Sequence, residues 1–474
     1  MKTPSSSKEI TKVWLEHALG EHVAKTRPRA SLSVLSFTVA KGTNPGDGFN
    51  SELAMVDVET SVREAASSVT TDEKIVYHLM AKFLSSDPMS REFNHKVKAD
   101  MKEYLMYSEV IREMNEFQAA RAPEEPQIPI PDLIYGKCTE KTFILLMENI
   151  KYLGYETNDK YKGLDYHHAK GAVDMIARVH ALSYAYGQSS NFPEKYPFIQ
   201  SVVEYIRTFK MMAHVTHETC SAFLKSLGDK EDVLRRLELS KKALIDGSVS
   251  SLPVGGDTMA CLNHGDFWNN NFMYRYKDPT PGQTQREIEG IKIIDWACCT
   301  WGSPMHDLQY LLHTSTTGAV RKAHLEELLQ QYHSTFANLT AKLGYPATKW
   351  DFDQFMSDWK QTLVVGFMLG ATLTMGTLST CNPVNKEVKP SVLDKPICFP
   401  IRMAVDGLKV GMAKLISGLM LTQRGESIMR SLLTQVLKPV REEIVSGKNK
   451  DLNTRLLDLI IEADENGLFN GESE

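Results

Sequence analysis

The stretch Asn263-His264-Gly265-Asp266-Phe267-Trp268-Asn269-Asn270-Asn271 sets an aspartate five residues before an asparagine, and Ile293-Ile294-Asp295-Trp296 ends an apolar run on a second aspartate. A carboxylate at Asp266 is placed to orient an acceptor hydroxyl and to take its proton. The amide oxygen of Asn271 and the carboxylate of Asp295 are hard oxygen ligands, of the kind that hold Mg²⁺ against nucleotide phosphates. The chemistry such a set serves is metal-assisted phosphoryl transfer. His264 joins the catalytic set as the residue that orients the loop by hydrogen bonding, the carboxylate being the base. Asp307, in Gly302-Ser303-Pro304-Met305-His306-Asp307-Leu308, reads as a support that holds the loop from behind through its backbone.

These residues need a scaffold that brings Asn271 and Asp295 together across twenty-four positions. Asn271-Phe272-Met273-Tyr274-Arg275-Tyr276 and Ile291-Lys292-Ile293-Ile294-Asp295 read as two strands around a polar Pro/Gly loop at 277–290, a hairpin that puts both ligands at one end. The spacing from Asp266 to Asn271 equals that of the H-R-D-x-x-x-x-N catalytic loop, with Gly265 where that loop has arginine. The exchange points away from protein kinases and towards kinases of small molecules.

Upstream, the pattern changes to period-two alternation. Val34–Val39, Leu53–Val58, Val76–Leu84 and Thr142–Met147 read as strands, preceded by an amphipathic helix over 7–19 with Ile10, Val13, Trp14 and Ala18 on one face. A helix spans 95–118 and a Pro/Glu-rich connector 123–131. Beyond 150 the chain turns helical: 165–187, 197–226, 229–245, 318–343, 351–380, 400–420, 424–446 and 451–463. The fold class expected is α+β and bilobal, of protein-kinase-like plan. Residues 1–150 form a β-rich N-lobe and 151–474 a mainly helical C-lobe with the catalytic loop, metal site and acceptor pocket.

The phosphate donor in this chemistry is ATP. The loop 42–51 is the candidate cover for its phosphates, through Gly46, Gly48 and Ser51, because glycine backbones approach phosphate oxygens closely. Lys82 on the third strand is the candidate for the α- and β-phosphates, with Glu103 as its ion-pair partner; Lys74 and Glu109 are alternatives. Met147 ends the strand that leads into the hinge. The adjacent Cys298 and Cys299 read as small apolar filler, since no His or Cys stands at ligand spacing from them.

Hydrophobic content of 42%, charged content of 24% and a net charge of −5 describe an ordinary globular protein and give no reason to expect nucleic acid as partner. Seven cysteines form an odd, scattered set without CxxC spacing, which suits reduced thiols in a cytoplasmic protein. The first 21 residues lack the apolar core of a secretory signal. Leu363–Cys381 is uncharged for nineteen residues, but its three Gly and four Thr favour a buried core helix over a membrane span.

On these residues the chain resembles the ecdysteroid kinase-like family, also described as choline-kinase-like. The likeness is carried by His264–Asn271, by Ile294-Asp295 with Gly302-Ser303-Pro304 and Asp307-Leu308, and by Met80-Ala81-Lys82 and Glu103–Tyr107. Tyr310-Leu311-Leu312 and Tyr332-His333 extend it, so that it covers most of the chain. The resemblance implies a kinase-like fold, ATP with Mg²⁺, and transfer of the γ-phosphoryl group to an alcohol. The family is named for moulting steroids, so it implies a steroid-like acceptor, with choline or an aminoglycoside as the alternative. No stable membrane insertion is expected.

Overall fold

Alternating apolar and polar side chains drive the first part of the chain into a five-stranded sheet. β1 (Ala30–Lys41), β2 (Ser51–Glu64) and β3 (Glu73–Leu84) follow one another, and β4 (Leu133–Thr139) and β5 (Thr142–Glu148) close it in the order β1-β2-β3-β5-β4. Every pairing is antiparallel. The computed structural model describes residues 1–42, 51–64, 72–85, 87–140, 142–200, 203–250, 259–278, 286–381 and 423–470. β4 was absent from the sequence expectation because its Gly136 and Lys137 break the apolar run.

One face of the sheet is covered by α1 (Lys12–Thr26), which starts where the Thr11 side chain accepts the Trp14 N–H at 3.3 Å. Trp14, Leu15, Ala18 and Leu19 pack on Val34, Ala54, Val56, Val58, Leu79, Ala81 and Phe83. Val13 is 60% exposed, so the buried stripe runs through Leu15 and Leu19 and not through Val13 as the sequence pattern suggested. The expected single helix over 95–118 is instead α2 (Pro88–Val97), α3 (Ala99–Leu105), a π-helical turn over Met106–Val110, and α4 (Ile111–Ala119). Lys98 at φ +57° separates the first two.

The chain divides into two compact units. The first holds Met1–Arg112 and Ile130–Glu156; the second holds Glu113–Pro129 and the described residues from Thr157 to Cys381 and from 423 onward. The segment Glu113–Pro129 thus groups with the later residues.

The second unit is mainly helical: α5 (Tyr166–Ser190), α6 (Phe192–Lys195), α7 (Val203–Leu227), α8 (Glu231–Leu239) and α9 (Lys241–Gly247). Two small strand pairs interrupt it. β6 (Cys261–Asn263) pairs with β9 (Thr300–Gly302), and β7 (Phe272–Tyr276) pairs with β8 (Ile288–Ile293). Then follow α10 (Met305–Ser315), α11 (Gly318–Lys342), α12 (Phe352–Gln361), α13 (Leu363–Leu378) and the helices Gln423–Val436, Lys438–Val445 and Lys450–Glu465. The expected helix over 400–420 lies outside the described residues.

Among the described residues no single helix is long and apolar enough to cross a membrane; α12 and α13 qualify only as a pair, and they meet at a 50° bend. α13 is a core helix. A Cβ at Gly366 would fall 2.3 Å from the Gln309 side chain and the His313 ring, so this glycine is what lets α13 lie against α10.

Candidate active site

The loop between β6 and β7 carries Asp266 and Asn271. It turns sharply at Gly265, where φ is +81° and a Cβ would fall 2.1 Å from the Cys298 carbonyl oxygen. Both facts require glycine. This is the physical reason for Gly265 between His264 and Asp266: the backbone after Asp295 passes too close for a side chain.

Asp307, fully buried on the first turn of α10, clamps the loop. Its Oδ2 accepts the His264 N–H at 2.6 Å and its Oδ1 accepts the Gly265 N–H at 2.9 Å. Oδ2 also lies 3.2 Å from Nε2 of the buried His180, whose Nδ1 is 2.5 Å from the Tyr332 hydroxyl. Burial works to raise the Asp307 carboxyl, but the His180 hydrogen bond and the surrounding imidazoles outweigh it and hold the group below the usual carboxylate range.

The His264 ring is fully engaged. Nε2 lies 2.9 Å from the Ile294 carbonyl and donates to it, which leaves Nδ1 to accept the Asp266 N–H at 3.4 Å. The ring therefore ties the loop to the backbone just after β8 and before Asp295, and packs on Phe267 and Trp296 with centroids 5.6 and 4.7 Å away. Phe267 in turn packs on Phe272 at 5.0 Å.

The Asp266 carboxylate is held from two sides. Oδ1 accepts the Tyr310 hydroxyl at 2.6 Å and Oδ2 accepts Nδ2 of Asn271 at 2.8 Å. Nδ2 of Asn271 also donates to the Asp266 carbonyl at 2.7 Å. With its nitrogen so committed, the Asn271 amide turns its oxygen away from Asp266. Burial pushes the Asp266 carboxyl above the usual range, and the neighbouring Asp295 charge adds to that push; the Tyr310 and Asn271 hydrogen bonds oppose it.

Asn271 and Asp295 meet at one end of the β7–β8 hairpin, where Phe272 pairs with Ile293 and the Ile294 N–H donates to the Asn271 carbonyl at 2.9 Å. Asp295 takes a left-handed backbone, φ +66° and ψ +63°, a conformation uncommon outside glycine that concentrates at functional sites. An amide oxygen and a carboxylate at one hairpin end are the donor types that suit a hard cation that also binds phosphates and water. Among the described residues there is no group of three or more His, Cys, Asp or Glu that could hold a metal ion.

In the first unit, the Lys82 ammonium donates to both carboxylate oxygens of Glu103, each at 2.7 Å, with both side chains buried. Lys74 stands exposed on β3 opposite Ser61, and Glu109 lies in the π-helical turn. Met147 on β5 is 8% exposed and pairs with Met80. Ser51 opens β2, while Gly46 and Gly48 lie outside the described residues.

Sequence reasoning assigned no chemical role to Tyr310 or His180. Tyr310 stands three residues after Asp307 on one helix, a spacing that puts both on one face and was readable. His180 is 127 residues from Asp307, and no local pattern announces it.

The residues 45–345 match the model of the ecdysteroid kinase-like family, a group of kinase-like phosphotransferases of small molecules. The chain belongs to that family. Among solved structures, a choline kinase from Cryptosporidium parvum Iowa II is 11% identical over 93% of this chain and 99% of its own, with a TM-score of 0.35. The GDP complex of an aminoglycoside 2′-phosphotransferase is also 11% identical, over 76% of this chain and 94% of its own, with a TM-score of 0.33. No curated protein matches the chain in sequence.

Proposed function

We propose that this chain is an ATP-dependent small-molecule O-kinase that moves the γ-phosphoryl group to a hydroxyl of an apolar alcohol, of the ecdysteroid or related steroid class. The carrying observation is the Asp266 carboxylate, fixed between Tyr310 and Asn271 on a loop clamped by Asp307. So fixed, Asp266 orients the acceptor hydroxyl and takes its proton as the acceptor oxygen bonds to the γ-phosphorus. The bond from that phosphorus to the β–γ bridging oxygen breaks, and its electron pair leaves with ADP.

Asn271, through its amide oxygen, and Asp295, through its carboxylate, are the residues that would hold Mg²⁺, which supplies charge neutralisation on the phosphates. Lys82, fixed by Glu103, positions the α- and β-phosphates. The acceptor class rests on family membership. We place the protein in the cytoplasm on its reduced thiols.

The test is transfer from γ-labelled ATP with Mg²⁺ to ecdysteroids, sterols, choline and aminoglycosides, with Asp266→Asn as blank. Label on steroids that the variant does not produce supports the reading. Label on choline or aminoglycosides alone overturns the acceptor class, and label retained by Asp266→Asn overturns the base.

A further inference from the structure

One helix holds the catalytic loop at three points. Asp307 on the first turn of α10 accepts the His264 and Gly265 N–H groups, and Tyr310 one turn on donates to Asp266. The third point lies at the far end of α10, where the Asn269 N–H donates to Oγ of the buried Ser315 at 2.9 Å. Ser315 Oγ lies 3.1 Å from Thr314 Oγ1, which donates to the Tyr310 carbonyl at 2.7 Å. The Thr314 hydroxyl has one hydrogen and gives it to that carbonyl, so Ser315 is the donor between the two hydroxyls. The place of Asn269, two residues before Asn271, is thereby set by where α10 ends.

What fixes that end is a guanidinium from the next helix. Nη1 of the buried Arg321 donates to the Thr316 carbonyl at 2.9 Å and to the Leu312 carbonyl at 3.3 Å. Both are among the carbonyls that a helix terminus leaves without an intrahelical partner. The rest of the fork is turned to Glu462 on the helix Lys450–Glu465, with Nε 2.8 Å and Nη2 2.7 Å from Oε2. A buried ion pair is a poor source of net stability, because desolvating the two charges offsets their attraction. A planar guanidinium with fixed N–H directions does set geometry, and here it locks a carboxylate and two helix carbonyls into one plan.

A second line from the same helix ends on the same residue. Arg455 donates to the Tyr161 carbonyl at 2.7 Å, and three residues back along that loop the Asn158 carbonyl accepts Nδ2 of Asn269 at 3.4 Å. The helix Lys450–Glu465 is itself seated by Leu452, Leu456, Leu459 and Ile460, in one core with Phe367 and Met375 of α13. All of these residues lie in the second unit, and Arg455 and Glu462 stand beyond the residues 45–345 that match the family.

We infer that Glu462, acting through Arg321, is a positioning residue for phosphoryl transfer. It fixes the end of α10, Ser315 passes that position to the Asn269 backbone, and the loop between Asp266 and Asn271 is held to it. This rests on the phosphotransferase reading above and assigns a part in that site to a helix distant in sequence from it.

The test joins hydrogen exchange of the free chain to a cycle of transfer rates. Peptides covering 264–271 should exchange faster in Glu462→Gln and in Ser315→Ala. They should not in Leu237→Ala, which opens a cavity in the core that seats the helix Lys450–Glu465 but touches neither Arg321 nor α10. In transfer from γ-labelled ATP to the acceptors named above, Glu462→Gln and Ser315→Ala should each lose roughly ten- to a hundredfold in kcat, the scale of a small misplacement of reacting groups. Leu237→Ala should keep its rate per folded molecule. Combined, Ser315→Ala and Glu462→Gln should lose no more than the worse single variant, as two links of one line do. Losses that multiply overturn the inference, as does loop exchange that Glu462→Gln leaves unmoved. Faster loop exchange in the variants of a chain that transfers phosphate to no acceptor overturns the kinase reading, and the catalytic part of the inference with it.

Discussion

The Tyr310 hydroxyl donates to Oδ1 of Asp266 at 2.6 Å, on the oxygen opposite the one that Asn271 engages at 2.8 Å. Two donors on two oxygens fix the plane of the carboxylate. They also counter the upward push that burial and Asp295 exert on its proton affinity. In the role proposed for it, Asp266 is a base only when ionised, so its raised pKa should move the acid limb of the rate profile to higher pH than an ordinary aspartate gives. Tyr310→Phe removes a donor that favours the charged form and moves that limb further up. The kcat should fall about tenfold, near the worth of one hydrogen bond to a charged group, with the KM for ATP little changed. A pH–rate series on the two proteins checks both, and an unmoved acid limb refutes the role.

Gly265→Ala should cost at least about 2 kcal/mol in left-handed strain alone. The new Cβ also collides with the Cys298 carbonyl, so the loop must move and Asp266 with it. Transfer activity should fall by more than the stability change explains. Denaturant unfolding and steady-state rates on one preparation separate the two effects.

Lys82 and Glu103 form a buried pair with both oxygens engaged. Removing one partner strands a buried charge, so Glu103→Ala should destabilise the chain by about 3–5 kcal/mol. The double variant Lys82→Met, Glu103→Leu should recover most of that loss and stay inactive. Chemical unfolding of the three proteins, with a transfer assay, tests whether the pair serves nucleotide positioning more than stability.

His313 is buried on α10, and burial, with Arg321 beside it, pushes its pKa down to about 4. In the unfolded chain the imidazole titrates near 6.5, so between those values the unfolded state binds more protons. Stability is full above about pH 6.5 and is lost as pH falls through about 4, by on the order of 3 kcal/mol. Melting curves from pH 7 to 4 should show the decline, and His313→Gln should flatten it.

How legible was this in the sequence? The period-two runs located β1, β3 and β5 to within four residues at each end, because one face of each is apolar against α1, whereas β2 runs on six residues past the expected end at Val58. The hairpin that joins Asn271 to Asp295 was readable for the same reason. The three-residue strands β6 and β9 were not, being too short to show a period. The split of the expected helix over 351–380 at Thr362 was also invisible: the residues on either side are good helix formers, and the bend follows from packing α13 on α10 through Gly366.

The residue types for phosphoryl transfer, and the spacing from Asp266 to Asn271, were set by the sequence alone, since catalytic types at a fixed offset need no partner to be read. The pairing of Lys82 with Glu103 instead of Lys74 or Glu109 was decided by the tertiary structure, because strand and helix faces choose which charges meet. So was the hold on Asp266 and its loop, through Tyr310, Asp307, His180 and Tyr332. Those contacts join positions that only folding brings within hydrogen-bond reach, and a buried carboxylate has no meaning until water has been excluded around it.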